Sequence, residues 1–342
     1  MKIIDNYSLT ANNTFKTETF TQKFVEYYTD DEIVDFVKNS PDIFLSKFLI
    51  IGEASNILFV DNYKGTIIHP ATKNISVISE NLEYFFIRAS AGVIFDDLVK
   101  YSLEKKMFGL ENLSGIPGTV GASAVQNIGA YGSEVENYIE EVEFLNLNNL
   151  KIETKKNGEC KFSYRDSIFK NELKNKAIIL SVSYRLNKKF TPNLSYTDLA
   201  NYFSENSPQN QSAELIRKIV INIRNNKLPD PKIIGNAGSF FKNPVINQSK
   251  FEALKLISPD VKYYPAGENM FKIAAGWLID NCKLKGFTHK GAAVDEKQAL
   301  VLINKQTATG KDILELAKIV QSKVYDKFKI ILEPEVLIVE EN

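Results

Sequence analysis

The sequence predicts an α+β protein of two or three domains. Its 342 residues are more than one ordinary hydrophobic core holds. Short apolar runs of strand character are set among amphipathic helical stretches over the first two thirds, and the last third alternates strand and helix patterns. On these grounds residues 1–72 form a first segment, 73–214 a second and 215–328 a third. The closing stretch, 329–342, reads as a strand that can return to the first.

Each element follows from a local pattern. In the first segment Asp30, Asp31 and Glu32 precede a helical stripe of Ile33, Val34, Phe36 and Val37, and Pro41 ends it. Residues 48–51, 57–60 and 66–69 read as short buried strands. In the second segment, 83–90 is a strand and 94–107 an amphipathic helix closed by Gly109. Residues 142–147 and 150–154 make a hairpin around Asn148-Asn149, and 177–186 is a strong strand. The third segment opens on a basic helix over 212–226, stopped by KLPDPK. A glycine turn running into a strand follows over 235–244, then helices over 248–257 and 273–283. A strand over 299–303, a long helix over 312–328 and a strand over 330–339, interrupted by Pro334, complete the chain.

Composition narrows the function. Lys+Arg and Asp+Glu are both 42, so no global basic field draws the chain to nucleic acid or to anionic lipid. No apolar run reaches the length of a membrane span, and the first residues lack the apolar core of a signal peptide. The two cysteines, Cys160 and Cys282, make neither a metal spacing nor a disulfide framework, which points to a reducing cytoplasm. With only His69 and His289, a multi-histidine metal site or a serine–histidine triad is not expected. Proton chemistry then falls to Ser, Glu, Asp, Lys, Tyr or Arg.

The densest cluster of special residues is SGIPGTVGASAVQNIGAYG, residues 114–132. Six of the chain's 17 glycines lie between Gly109 and Gly132. Glycine loses the most freedom on folding, so the cluster implies a backbone need. The side chains of Ile116, Pro117, Gly118, Gly121, Ala122, Ser123, Gln126, Asn127, Gly129 and Ala130 are mostly small. A ligand can lie on such a backbone as phosphates lie on glycine-rich nests. The spacing is neither the dinucleotide fingerprint nor a Walker loop. A tight surface loop is the alternative, although such a loop needs far fewer special residues.

Four further stretches carry candidates. Gly52-Glu53-Ala54-Ser55-Asn56 is a strand–turn–strand that can present N–H groups to a pyrophosphate, or simply turn a hairpin. Tyr164-Arg165-Asp166-Ser167 holds an arginine suited to gripping a carboxylate, or one paired to Asp166 at the surface. In GNAGSFFKNP, Ser239 is a possible proton donor or a strand-start serine, and the motif is not a nucleophile elbow. In LEPEV, Glu333 and Glu335 share a face if the strand alternates regularly; they serve as acids or guard an edge. Lys227 and Arg224, the amides Asn243 and Gln298, and the rings of Tyr131 and Tyr196 complete a set fitted to a large anionic small molecule bound between domains.

These stretches, taken in order, closely resemble the UDP-N-acetylenolpyruvoylglucosamine reductase family. The resemblance runs through GEASNILFVDNYKGTII, SGIPGTVGASAVQNIGAYGSEV, YRDSIFK, KLPDPK, GNAGSFFKNP, AAGWLIDNCKLKG, QALVLIN and LEPEV, from about residue 13 to 340. The tyrosine of SYTDL and the long linker look like the type I branch. The resemblance implies a vanillyl-alcohol-oxidase (PCMH) type FAD-binding fold in two subdomains, 1–72 and 73–214, plus a C-terminal α+β substrate-binding domain, 215–328. It implies FAD and NADPH as cofactors, and reduction of UDP-N-acetyl-enolpyruvylglucosamine to UDP-N-acetylmuramate for peptidoglycan. Residues 52–56 and the glycine stretch would cup the FAD pyrophosphate. Hydride would pass from the flavin to the terminal methylene carbon. Arg165 and Glu335 would stabilise charge on the carboxylate, and Ser239 would protonate the carbon beside it. Glu335 helps only if it is protonated or hydrogen-bonded, since a bare carboxylate would repel that charge. Tyr131, Tyr196, Lys227, Asn243 and Gln298 would hold the substrate. A cytoplasmic monomer is expected, and an oxidase of alcohols or sugars on the same cradle is the alternative function. Three positions depart from the family pattern: Ala54 and Lys290 stand where glycine is common, and Leu337 where arginine is common.

Overall fold

The computed structural model describes residues 1–206 and 211–340. The chain forms two compact units, neither continuous in sequence. One comprises residues 1–7, 21–53 and 64–224; the other comprises 8–20, 54–63 and 225–342. The division does not follow the expected boundaries at 72 and 214. Residues 8–20 and 54–63, expected in an N-terminal segment, pack with the C-terminal third instead.

The first unit holds two sheets. In one, the strands Lys2–Ser8, Phe20–Tyr27, Tyr63–Pro70 and Phe48–Ile50 lie in that order, with the last two parallel. Helix α1 (Asp30–Asn39) is capped by the Thr29 side chain, which accepts from the Glu32 N–H, and it buries Ile33 and Val37. These join Tyr27, Ile68, Leu145, Ile178 and Leu180 in one cluster. The other sheet is antiparallel throughout, in the order Lys151–Lys156, Ile139–Asn146, Ala177–Asn187, Tyr84–Ser90, Ile75–Glu80. Its central strand, Ala177–Asn187, is buried along nearly its whole length, as its continuous apolar run requires.

On that sheet packs helix α2 (Phe95–Glu104), which buries Phe95, Leu98, Val99 and Leu103. The glycine stretch is not loop throughout. Its middle forms the short helix α3 (Val120–Gln126), which contacts the same central strand. Small residues permit this approach: a Cβ on Gly121 would lie 2.9 Å from the Ala91 Cβ. Helix α4 (Thr197–Asn206) and helix α5 (Ala213–Lys227) pack Leu199 and Phe203 against Ile216, Ile219 and Val220. The α4 segment carries no helix in the sequence reading, because SYTDLANYF has few apolar repeats.

The second unit contains the antiparallel sheet Gly235–Ser239, Val301–Asn304, Ala292–Val294, Thr288–His289. It also holds a three-stranded sheet of Val245–Asn247, Met270–Ile273 and Tyr263–Pro265. Helices α6 (Gln248–Ile257), α7 (Ala275–Asn281) and α8 (Gly310–Phe328) complete it. Thr309 and Asp312 form a capping box at the start of α8. Gly310 follows the cap because the helix starts against a strand backbone: a Cβ there would collide with the Phe59 carbonyl oxygen. The strand Ile57–Phe59 pairs in parallel with Leu337–Val339.

Two expectations for this unit are corrected. The stretch 235–239 is itself a strand, made irregular by a register shift after Asn236 and by Gly238 at φ +68°. Residues 330–336 are not strand. Only Leu337–Val339 pairs, and Pro334 makes a single bridge to Phe241.

Candidate active site

The first unit gathers one group of candidates around α3. Gly52 lies directly against Thr119: a Cβ on Gly52 would fall 2.4 Å from Thr119 Oγ1. The turn after strand Phe48–Ile50 and the glycine stretch therefore meet. The N–H groups of Gly52, Glu53, Ile116, Gly118 and Thr119 reach no acceptor among the described residues. Thr119 bridges Ile94 with its flanking groups bonded instead, Phe95 N to Gly118 O at 2.9 Å and Val120 N to Val93 O at 2.8 Å. Five main-chain donors on two touching loops, with Pro117 and glycines leaving room for approach, suit a pyrophosphate.

Other expected donors are consumed in building this cradle. Gly121 N–H donates to Ala91 O at 2.9 Å, and Ser123 N–H to Thr119 O at 2.9 Å. The Ser123 hydroxyl donates to Val120 O. Asn127 is fully buried, caps α3 at φ +43°, donates to Ser163 O and accepts from Glu136 N. Gly115 N–H donates to Asp96 Oδ1 at 2.7 Å, and Arg217 grips the same carboxylate at 2.6 and 2.9 Å. Burial works against the Asp96 charge, but these bonds win and hold the carboxyl down at about 2. The sequence assigns no site role to Thr119, Asp96 or Arg217. Thr119 follows two glycines just before a helix, a readable cap signal. Asp96 and Arg217 are 121 positions apart, and only folding pairs them.

Arg165 is anchored to the far end of the same stretch. Its backbone is left-handed at φ +58°, a conformation that disfavours side chains. Its guanidinium donates to Gly129 O at 2.5 Å, and Lys170 Nζ donates to the Arg165 carbonyl at 2.9 Å. Ser167 Oγ donates to Val125 O at 2.7 Å, tying the turn to α3. Arg165 is thus not paired to Asp166, whose carboxylate accepts from Asn171. Tyr131, at φ +50°, meets Tyr196 edge-on with centroids 5.0 Å apart. Arg224 is partly buried beside the Tyr131 hydroxyl, and the loss of solvent lowers its guanidinium pKa.

The second unit gathers the rest. Ser239 ends its strand half-buried, and its hydroxyl finds no partner among the described residues. The next residue, Phe240, accepts from Glu335 N–H at 2.8 Å, so Glu335 lies beside the Ser239 strand end. Glu333 is exposed and pairs with Lys242 at 3.6 Å. The two glutamates therefore do not act as a pair. Ala54, Ser55 and Asn56 begin here, and Asn56 Nδ2 donates to the Glu335 carbonyl at 3.2 Å. Asn243 and Gln298 meet at the start of α7. Asn243 Oδ1 accepts from Ala275 N–H at 2.9 Å, and a Cβ on Gly276 would come within 3.3 Å of Gln298 Oε1. Lys227 ends α5.

A family model for an FAD-binding domain matches residues 24–152, which include both touching loops. A second, for the UDP-N-acetylenolpyruvoylglucosamine reductase C-terminal domain, matches residues 230–339. Whole-chain relatives bear that name. The one from Neisseria gonorrhoeae is 43% identical across 96% of this chain and 94% of its own length. The one from Bacteroides fragilis is 42% identical across 96% and 98%.

The chain belongs to the UDP-N-acetylenolpyruvoylglucosamine reductase family.

It is accordingly an FAD-dependent oxidoreductase of the expected α+β class. The solved UDP-N-acetylenolpyruvylglucosamine reductase of Thermus caldophilus shares the fold, with a TM-score of 0.67 over 99% of this chain and 98% of that one, at 21% identity. The donors on the two loops fit the FAD-binding assignment. Two of the expected departures from the reductase family pattern fall on left-handed backbone, Ala54 at φ +43° and Lys290 at φ +51°, a conformation that glycine adopts without strain. The third, Leu337, opens the last strand with its side chain exposed. Among the described residues no helix is long and apolar enough to cross a membrane, and no cluster of three metal-ligating side chains occurs.

Proposed function

We propose that this reductase uses NADPH to convert UDP-N-acetyl-enolpyruvylglucosamine into UDP-N-acetylmuramate, in the cytoplasm and as a monomer, for peptidoglycan precursor synthesis. The observation that carries the reading is the Ser239 hydroxyl. It is half-buried and without a partner among the described residues, and the Glu335 N–H bonds the carbonyl of the next residue, Phe240. A reductase of an enol ether needs one positioned proton donor of this kind.

FAD, when bound, would supply the hydride, with NADPH as its source of electrons. Main-chain N–H groups of Gly52, Glu53, Ile116, Gly118 and Thr119 would hold its pyrophosphate, with Ala54, Ser55 and Asn56 continuing the first loop. Arg165 binds the substrate carboxylate, where negative charge grows as hydride reaches the methylene carbon. Ser239 Oγ–H gives its proton to the carbon beside the carboxylate and regains one from solvent, which leaves a lactyl ether. Glu335 works with Arg165 on the developing charge. Tyr131, Tyr196, Lys227, Asn243 and Gln298 hold the uridine diphosphate portion. In this assignment residues 1–214 serve mainly the flavin, and 215–328 mainly the substrate.

The test is spectroscopic. The purified protein is expected to be yellow, to bleach with NADPH under anaerobic conditions, and to recover colour when the enolpyruvyl sugar nucleotide is added. Failure to bleach would sink the reading. Rapid recovery with oxygen alone, and none with the sugar nucleotide, would favour the oxidase.

A further inference from the structure

We infer that Asn112 is a positioning residue that sets Tyr131 and Tyr196 as one unit. The inference rests on the substrate-holding role just assigned to these two tyrosines. Asn112 sits in a short turn of 3-10 helix, Glu111–Leu113, and is only 3% exposed. Its Nδ2 donates to the Tyr131 carbonyl at 2.8 Å and to the Asn193 carbonyl at 2.9 Å. One buried amide thus spends both hydrogens on two loops that are 62 residues apart in sequence, 131 and 193. Only a carboxamide offers two such donors without a charge; aspartate offers none when ionised.

The two loops are also tied to each other. Asn193 Nδ2 donates to the Gly132 carbonyl at 3.0 Å. Asn193 Oδ1 accepts from Ser195 N–H at 3.1 Å and from Ser195 Oγ at 2.7 Å, one residue before Tyr196. A Cβ on Gly132 would come within 2.2 Å of Ser195 Oγ and 3.3 Å of the Tyr196 backbone nitrogen, so the two loops lie against each other. Tyr131 and Gly132 are both left-handed, at φ +50° and +80°. Such a pair relaxes unless its carbonyls are held, and Asn112 and Asn193 hold one each. The result is the edge-on contact of the rings. Asn112 bonds the backbones of Tyr131 and Asn193, and it acts through these backbones.

The experiment uses the flavin-loaded protein and UDP as the probe. Asn112→Asp and Asn193→Ala are each expected to weaken UDP binding and raise KM for the enolpyruvyl sugar nucleotide about tenfold, the size of one to two lost hydrogen bonds. Flavin content, flavin absorbance and the rate of bleaching by NADPH are expected to stay at wild-type values, which a general structural defect would not permit. UDP affinity and KM within twofold of wild type in a folded Asn112→Asp protein would overturn the inference. If that variant does not fold, Asn193→Ala, in a half-buried loop, decides on the same criterion. A wild-type protein that binds no UDP would overturn the proposed function, and the inference with it.

Discussion

At the scale of single residues, several members of the candidate site hold strained backbone. Arg165, Tyr131 and Asn127 all lie at positive φ, and all belong to the candidate site. Strain of this kind persists only where surrounding bonds over-determine it. Ala54 has the same backbone with a methyl group in place of the family's usual glycine. Ala54→Gly relieves left-handed strain but frees the unfolded chain, so a net gain on the order of 0.5 kcal/mol is expected, read as a small rise in Tm by scanning calorimetry. Ser239→Ala is expected to leave NADPH bleaching of the flavin intact and to slow recovery by the sugar nucleotide about a hundredfold or more, as loss of a general acid does. Equal loss in both half-reactions, measured by stopped-flow absorbance, would show that Ser239 serves structure instead. The residue types in these roles were legible in the sequence, since GNAGSFF, YRDS and LEPEV each carry more polar chemistry than folding needs. Their partners were not. That Glu333 belongs to Lys242, while Glu335 belongs to the Ser239 strand end, follows from a backbone bond that no spacing rule predicts.

At the scale of elements, two carboxylates at helix starts show opposite electrostatics. Asp30 opens α1, and its Oδ1 is buried without a partner. Burial first, then the charges of Glu143 and Asp31, push its carboxyl up to about 6. The folded form thus holds the proton more tightly than the unfolded chain does. The stabilisation is full below about pH 4, near the unfolded value, and is lost as pH rises through 6. Asp30→Asn should therefore raise Tm at pH 8 and change it little at pH 4; an equal shift at both would refute the assignment. Asp96, in the first turn of α2, is held down at about 2 by Arg217 and the Gly115 amide despite its burial. Its contribution is present above pH 4 and is lost as pH falls towards 2. Asp96→Ala is expected to cost about 2 kcal/mol near neutrality, since it strands Arg217 and frees the glycine stretch. Denaturant titration would show the deficit at pH 7 and its shrinkage near pH 2. Helices with clear stripes, α1, α2 and α8, were readable, the first and last also by their caps, and so were the hydrophobic strands. The strands Lys2–Ser8, Phe20–Tyr27 and Ile75–Glu80 were missed, because KIIDNYS and FTQKFVEY mix charge into their alternation and Ile75–Glu80 is largely exposed.

For the whole molecule, the decisive feature is discontinuity. The core of the second unit contains Phe15, Leu58 and Val60 from the N-terminal region beside Leu278, Leu316, Val320 and Leu332. Asn304 Nδ2 donates to the Phe15 carbonyl at 2.9 Å, and Gly235 is packed so closely on that carbonyl that a Cβ would collide with it. A fragment of residues 225–342 therefore lacks part of its own core, and its strand Leu337–Val339 has lost its partner. It is expected to show no cooperative thermal transition and poor amide dispersion in NMR; a sharp transition would show that the N-terminal pieces are dispensable.

The sequence by itself determined the α+β class, most helices and the position of two loops rich in glycine and small residues. These depend on local periodicity, on glycine's backbone freedom and on residue chemistry, all of which are written within a few positions. Only the tertiary structure decided which N–H groups remain for a ligand, that Asp96, Arg217 and Asn112 brace the loops, and that residues 8–20 and 54–63 fold with the C-terminal third. Those outcomes depend on contacts between residues tens to hundreds of positions apart. There, burial selects the partners, and no local pattern records the choice.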